Sequence, residues 1–142
     1  MTAEEYLSQI KKIDVIIKNR LRDHARWVEV ADSLGGNFDG ERVQSSRNLH
    51  RGADAIGNYI DIEREIADLK RKRQEIINTI ERLPSTEYDL IYKLYVEDYS
   101  MKEIAYIKKK SYDWVKFKKK YALMLVQAML DGAAAQTSTE SG

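Results

Sequence analysis

Residues 100–126, SMKEIAYIKKKSYDWVKFKKKYALMLV, decide how this chain is read. Ser100 and Glu103 stand at capping-box spacing: the serine side chain takes the N3 amide and the glutamate reaches back to the cap. That opens a short helix over residues 101 to about 107. Residues 108–110 form a turn, and Ser111 caps a second helix running from 112 to about 130. A short helix, a tight turn and a longer basic helix are the parts of a helix-turn-helix. Ile104, Ala105 and Ile107 are expected to face the second helix, with the small Ala105 where the two cross most closely. Val115, Ala122 and Val126 supply the inward stripe of that second helix. Ser111 places a capped N-terminus toward the groove, and Tyr112, Asp113 and Lys116 are expected to reach base edges. Lys108, Lys109, Lys110, Lys118 and Lys120 are expected at phosphates, where they add affinity without sequence information.

The charge distribution agrees with this reading. The 142 residues carry 24 Lys+Arg and 23 Asp+Glu, a formal net charge of +1. Residues 1–83 hold 15 basic and 15 acidic residues, and residues 84–99 hold one Lys and four acids. Residues 100–125 hold eight Lys against Glu103 and Asp113, a local charge of +6. A basic block set in a balanced chain points to an anionic partner.

Upstream of the block the pattern is helical throughout. Residues 3–34 repeat Leu7, Ile10, Ile17, Leu21, Val28 and Ala31 at spacings of three and four, widened by Ile13 and Ile16. Gly35, Gly36 and Asn37 stop that helix, and residues from about 35 to 52 read as a linker. Ile62, Leu69, Ile76 and Leu83 then step by seven, interleaved with Tyr59, Ile66 and Ile80, with Arg73 as the polar member of the seam. A seam this narrow needs a partner helix. The first helix folding back as a hairpin, a second copy of the chain, or both in a four-helix dimer would supply it. Pro84 ends the long helix, and Ser85 is positioned to cap the next one, over residues 86 to about 96. The tail, residues 131–142, is small and polar and reads as disordered.

The fold expected is therefore all-α: a long N-terminal helical hairpin or coiled coil over 1–83, then a helix-turn-helix over 84–130. With no Cys, two His and one Pro, disulfide frameworks and thiolate zinc sites are excluded. No Gly-rich phosphate loop or nucleophile motif is present, so neither catalysis nor a cofactor is expected. No apolar run approaches the ~18–20 residues of a membrane span. The start MTAEEYLSQIKK has no apolar signal region, so a cytoplasmic location is expected. His24 and His50 have no acidic partner at an obvious spacing and read as surface or seam residues. Trp27 and Trp114 read as packing residues. Tyr88, Tyr92, Tyr95 and Tyr99 recur at three and four as a packing face, with docking of RNA polymerase as a sharper alternative.

The segment IYKLYVEDYSMKEIAYIKKKSYDWVKFKKKYAL resembles the C-terminal helix-turn-helix of bacterial sigma factors, region four. The shared elements are Ser100, Glu103, Ile104 and Ala105 at the start, Ser111 and Val115 in the second helix, and Ala122 with Leu123. The layout of the whole chain is similar to the ArpU-type group of phage late-transcription regulators. That resemblance implies double-stranded DNA as partner, contact with RNA polymerase, activation of late promoters, and a bacterial host cell as location. Two positions depart from the region-four pattern. The turn reads Lys108-Lys109-Lys110-Ser111 in place of a Leu-Gly-Ile-Ser type, and Lys119 stands where the inward stripe usually has an apolar residue. Two alternatives share the layout: a phage small terminase subunit, and a helical adaptor of polymerase or sigma factor that never touches DNA.

Overall fold

Long amphipathic stripes without internal proline favour long helices, and the computed structural model opens with two of them. It describes residues 1–35 and 46–140. Helix α1 spans Ala3–Gly35 and α2 spans Ser46–Ile80. Helix α3, Ser85–Ile91, runs on into a π-helical turn, Tyr92–Val96. Helix α4 is Met101–Lys108 and α5 is Tyr112–Glu140. The described residues form no strand, and the protein is all-α. No helix among them is long and apolar enough to cross a membrane.

Packing divides the chain into two compact units, and the division cuts across both long helices. One unit joins Met1–Lys12 to Lys72–Gly142, and the other is Ile13–Arg71. The first turns of α1 and the last turns of α2 thus belong to the unit that holds α3, α4 and α5. Within that unit Leu7, Ile10, Ile76 and Ile80 are fully buried, together with Leu90, Ile91, Ile104, Val115 and Val126. Tyr6 and Thr79 share a hydrogen bond between hydroxyls at 2.9 Å. The Ala3 amide donates to Gln127 Oε1 at 2.8 Å, and Lys11 pairs with Asp98 at 3.0 Å.

The Ile13–Arg71 unit pairs the remainder of α1 with the first part of α2. Arg20 meets Glu65 at 3.0 Å and His24 meets Glu63 at 2.8 Å, an antiparallel run of contacts. Ile62 and Ile66 are buried there, as the seven-residue stepping requires. Leu21, however, is 52 % exposed, at the rim of a groove that it lines with Ile66 and Ala67; Ile13 is the buried residue of α1 in this unit, and Ile16, Ile17, Val28 and Ala31 are half-buried. His24 has the acidic partner that its sequence neighbours do not reveal, and its ring meets Tyr59 edge-on at 5.5 Å. The side chain of His50 and the linker positions 36–45 lie outside the described residues.

Three expected helix ends differ. Helix α2 begins at Ser46, so residues 46–52, expected in the linker, are helical. Ser85 does not cap α3: Pro84 is the cap position, with ψ 153°, and no side chain bonds there. The Pro84 carbonyl instead accepts the Tyr88 amide at 2.8 Å, so backbone geometry alone starts the helix. At the other end α5 continues through Glu140, past the end expected near residue 130. Ala133, Ala134 and Ala135 are the strongest helix formers available and carry it across Gly132.

Candidate nucleic-acid interface

The segment from α3 to α5 is built around Leu90, Ile104 and Val115, each fully buried, with Leu94, Tyr99, Met101, Ala105 and Trp114 packed against them. One apolar residue from each of α3, α4 and α5 thus meets at a point. The start of α4 is fixed by its capping box: Ser100 Oγ accepts the Glu103 amide at 3.1 Å, and Glu103 Oε1 accepts the Ser100 amide at 3.3 Å. The helix ends at Lys109, which takes the left-handed conformation at φ 54°, ψ 45°. The amide of Lys110 then donates to the Ala105 carbonyl at 3.0 Å. Ser111 Oγ accepts the Trp114 amide at 3.1 Å and starts α5. The turn closes without the glycine such a turn ordinarily uses, and Lys109 carries the strain that glycine would avoid.

Along the first turns of α5, burial alternates with helical period. Trp114 and Val115 turn inward, as do Ala122 and Val126, while Lys118 and Lys119 are partly covered. Tyr112, Asp113, Lys116, Phe117 and Lys120 are exposed. Positions four apart on a helix share a face, so Asp113, Lys116, Phe117 and Lys120 form one outward surface at the capped end. Lys109, Lys110 and Ser111 of the turn are exposed beside it. Lys110 lies 5.5 Å from the centre of the Trp114 ring, a cation–π contact that steadies its stem.

Three lysines of the basic block are engaged inside the protein. Lys108 pairs with Asp89 at 2.5 Å, Lys118 with Glu87 at 3.2 Å, and Lys119 with Glu4 at 3.7 Å. Lys108 and Lys118, expected at phosphates, therefore tie α4 and α5 to α3. Lys119, the polar intruder in the inward stripe, reaches the first turn of α1. Glu87 is itself buried, and Lys93 joins Lys108 on Asp89 at 2.9 Å. Hydrogen bonds from Lys108 first and Lys93 second hold the Asp89 carboxyl below its ordinary 3.8, and the same contact with Asp89 raises Lys93 above 10.5. Ile107, expected to pack on α5, is 46 % exposed, and Tyr106 beside it is 87 % exposed. Ile107 lies on the outer side of α4 with Lys102, Glu103 and Tyr106, away from the buried Ile104.

The four tyrosines do not share one face. The ring centres of Tyr88 and Tyr92 lie 5.7 Å apart. Tyr99 packs on the central cluster, and burial, with Glu4 adding negative charge, pushes the Tyr95 hydroxyl up to about 12. The π-helical turn breaks the spacing of three and four that would align them: the Glu97 amide reaches back to the Tyr92 carbonyl at 3.0 Å. Phe117 is the residue that sequence reasoning leaves out. Its neighbours mark it: the same spacing that sets Val115 and Ala122 inward sets position 117 outward. Comparison of the chain with family models, with curated proteins and with solved structures finds no match in any of the three.

Proposed function

We propose that this protein is a sequence-specific, DNA-binding transcription regulator of the sigma-like, phage or prophage type, and not an enzyme, acting through a helix-turn-helix formed by α4 and α5. The observation that carries the reading is the outward surface of α5. Tyr112, Asp113, Lys116, Phe117 and Lys120 are exposed at the capped end of a helix whose other face is packed on α3 and α4. Lys109, Lys110, Lys116 and Lys120 have no ion-pair partner among the described residues, so their charges are available to phosphates. Recruitment of RNA polymerase to late promoters, in a bacterial host cell, is the role the resemblance to ArpU-type regulators suggests. A second copy of the chain is the partner suggested by the Ile13–Arg71 unit, which leaves Val15, Leu21, Ile56 and Ile60 exposed.

Fluorescence anisotropy with a labelled duplex of about 25 base pairs, titrated over a range of salt, tests the reading. Three to four phosphate contacts give a log–log salt slope of about −3 to −4. Charge reversal at Lys116 and Lys120 together is expected to abolish binding at physiological salt while leaving the circular dichroism melt unchanged. Binding that survives this double reversal intact would contradict the docking surface.

One observation favours a second reading. Phe117, Tyr121 and Met124 are exposed at 66 %, 43 % and 62 % in a row along α5, as a helix that docks on a protein would present them. An adaptor of polymerase or sigma factor would co-purify with polymerase and shift no duplex.

A further inference from the structure

Phe117 is the most exposed large apolar side chain of the first two turns of α5, at 66 % against 42 % for Tyr112, and unlike Tyr112 it carries no polar group. It follows Lys116 and precedes Lys120 by three, so the ring shares one exposed surface of the helix with two lysines and lies to one side of them. That setting is complementary to an anionic partner with an apolar spot beside its charges. A phenyl ring neither donates nor accepts a hydrogen bond, so it is blind to the polar pattern of a base edge. The apolar group the major groove offers is the C5 methyl of thymine. Tyr121 and Met124 lie about 6 and 10 Å farther along the axis, away from the capped end that a recognition helix points into the groove.

Resting on the DNA-binding reading above, we propose that Phe117 is a specificity-determining residue that packs on a thymine methyl, with Lys116 and Lys120 holding the adjacent anionic groups. The site would then prefer a thymine at one fixed position relative to the phosphates that these lysines contact. The preference is for the methyl group itself, not for the hydrogen-bonding edge of the A·T pair.

The test begins with duplexes selected by the full-length protein from a randomised double-stranded pool. In a selected duplex each thymine is then replaced in turn by deoxyuridine, which removes the methyl and keeps every hydrogen-bonding group. One such replacement is expected to weaken wild-type binding about fourfold, the equivalent of one methyl group left in water. Phe117→Ala should bind parent and uracil duplexes equally, and Phe117→Leu should restore the dependence. Because the side chain is exposed, both variants should melt like the wild type. Wild-type binding that is indifferent to every uracil replacement, or a Phe117→Ala variant that keeps the dependence, overturns the inference and leaves DNA binding standing. A protein that retains no duplex from the pool at low salt overturns DNA binding and this inference together.

Discussion

Lys109 holds a left-handed backbone that costs an L-residue about 1–2 kcal/mol relative to the right-handed form. Glycine adopts it freely but loses more chain entropy on folding. The balance predicts that Lys109→Gly raises stability by about 0.5–1 kcal/mol, read from urea unfolding. The same substitution removes an exposed ammonium group, so if Lys109 contacts phosphate the salt slope for DNA should fall by about one. The two effects have opposite consequences for function, and measuring both separates the role of the residue in the turn from its role at the surface. A few residues away, Asp89 links folding to pH. Its pKa is lowered in the folded chain, so its contribution is full above the unfolded value near 3.8 and is lost as pH falls through the folded one. Lys93 is raised, so its contribution is full below about 10.5 and is lost as pH climbs through its folded value. Asp89→Asn should therefore lower stability at neutral pH and flatten the loss at both extremes. Urea midpoints that keep the same acid and alkaline slopes in the variant would show that the pair does not couple to folding.

At the scale of the element, α5 is oriented by charge as much as by apolar packing. Glu87 is buried on α3 and its partner Lys118 is largely covered. Glu87→Ala leaves that ammonium group without its carboxylate and should cost about 2 kcal/mol, below the roughly 3–5 kcal/mol of fully buried pairs because Lys118 keeps some solvent. Replacing both, Glu87→Leu with Lys118→Met, should recover most of the loss, measured as a thermal unfolding midpoint. Recovery would also show that Lys118 serves orientation and not phosphate contact, since the double variant should then keep DNA affinity. This is where reading from sequence ran short. The capping box at Ser100 and Glu103, the Ser111 cap and the inward set Val115, Ala122 and Val126 follow from local spacing, and local spacing is written in the sequence. Which lysines stay in solvent depends on what α3 and the start of α1 bring alongside, over separations from Glu4 to Lys119 that no periodicity encodes. A left-handed Lys109 is equally invisible, because the residue type argues against the conformation that tertiary packing imposes.

For the whole molecule, the consequence of the two-unit division is that the first twelve residues belong with the C-terminal helices. Ala3, Leu7 and Ile10 are buried there, and the Ala3 amide, Glu4 and Lys11 reach Gln127, Lys119 and Asp98. A fragment beginning near Pro84, the natural cut if the chain were a coiled coil with an appended motif, would lack Leu7, Ile10, Ile76 and Ile80, which are fully buried in this same unit. Leu7→Ala should destabilise the intact protein by about 3 kcal/mol, the usual cost of emptying a fully buried leucine site, although the residue is more than 100 positions from the middle of α5. The sharper experiment removes the other unit. Tyr6 meets Thr79, so the antiparallel helices bring Lys12 and Lys72 close enough for a flexible Gly/Ser bridge of about six residues to join them. The bridged chain, lacking residues 13–71, should fold cooperatively and bind a single half-site duplex with a salt slope like that of the full protein. If the exposed apolar residues of the deleted unit mediate self-association, the bridged chain should be monomeric by light scattering. It should then also lose the added affinity that a dimer gains on two half-sites spaced a helical turn apart. A bridged chain that fails to fold while Leu7→Ala leaves the intact protein unaffected would mean that stability is carried by Ile13–Arg71. The surface of α5 would then have to be rebuilt on a different scaffold.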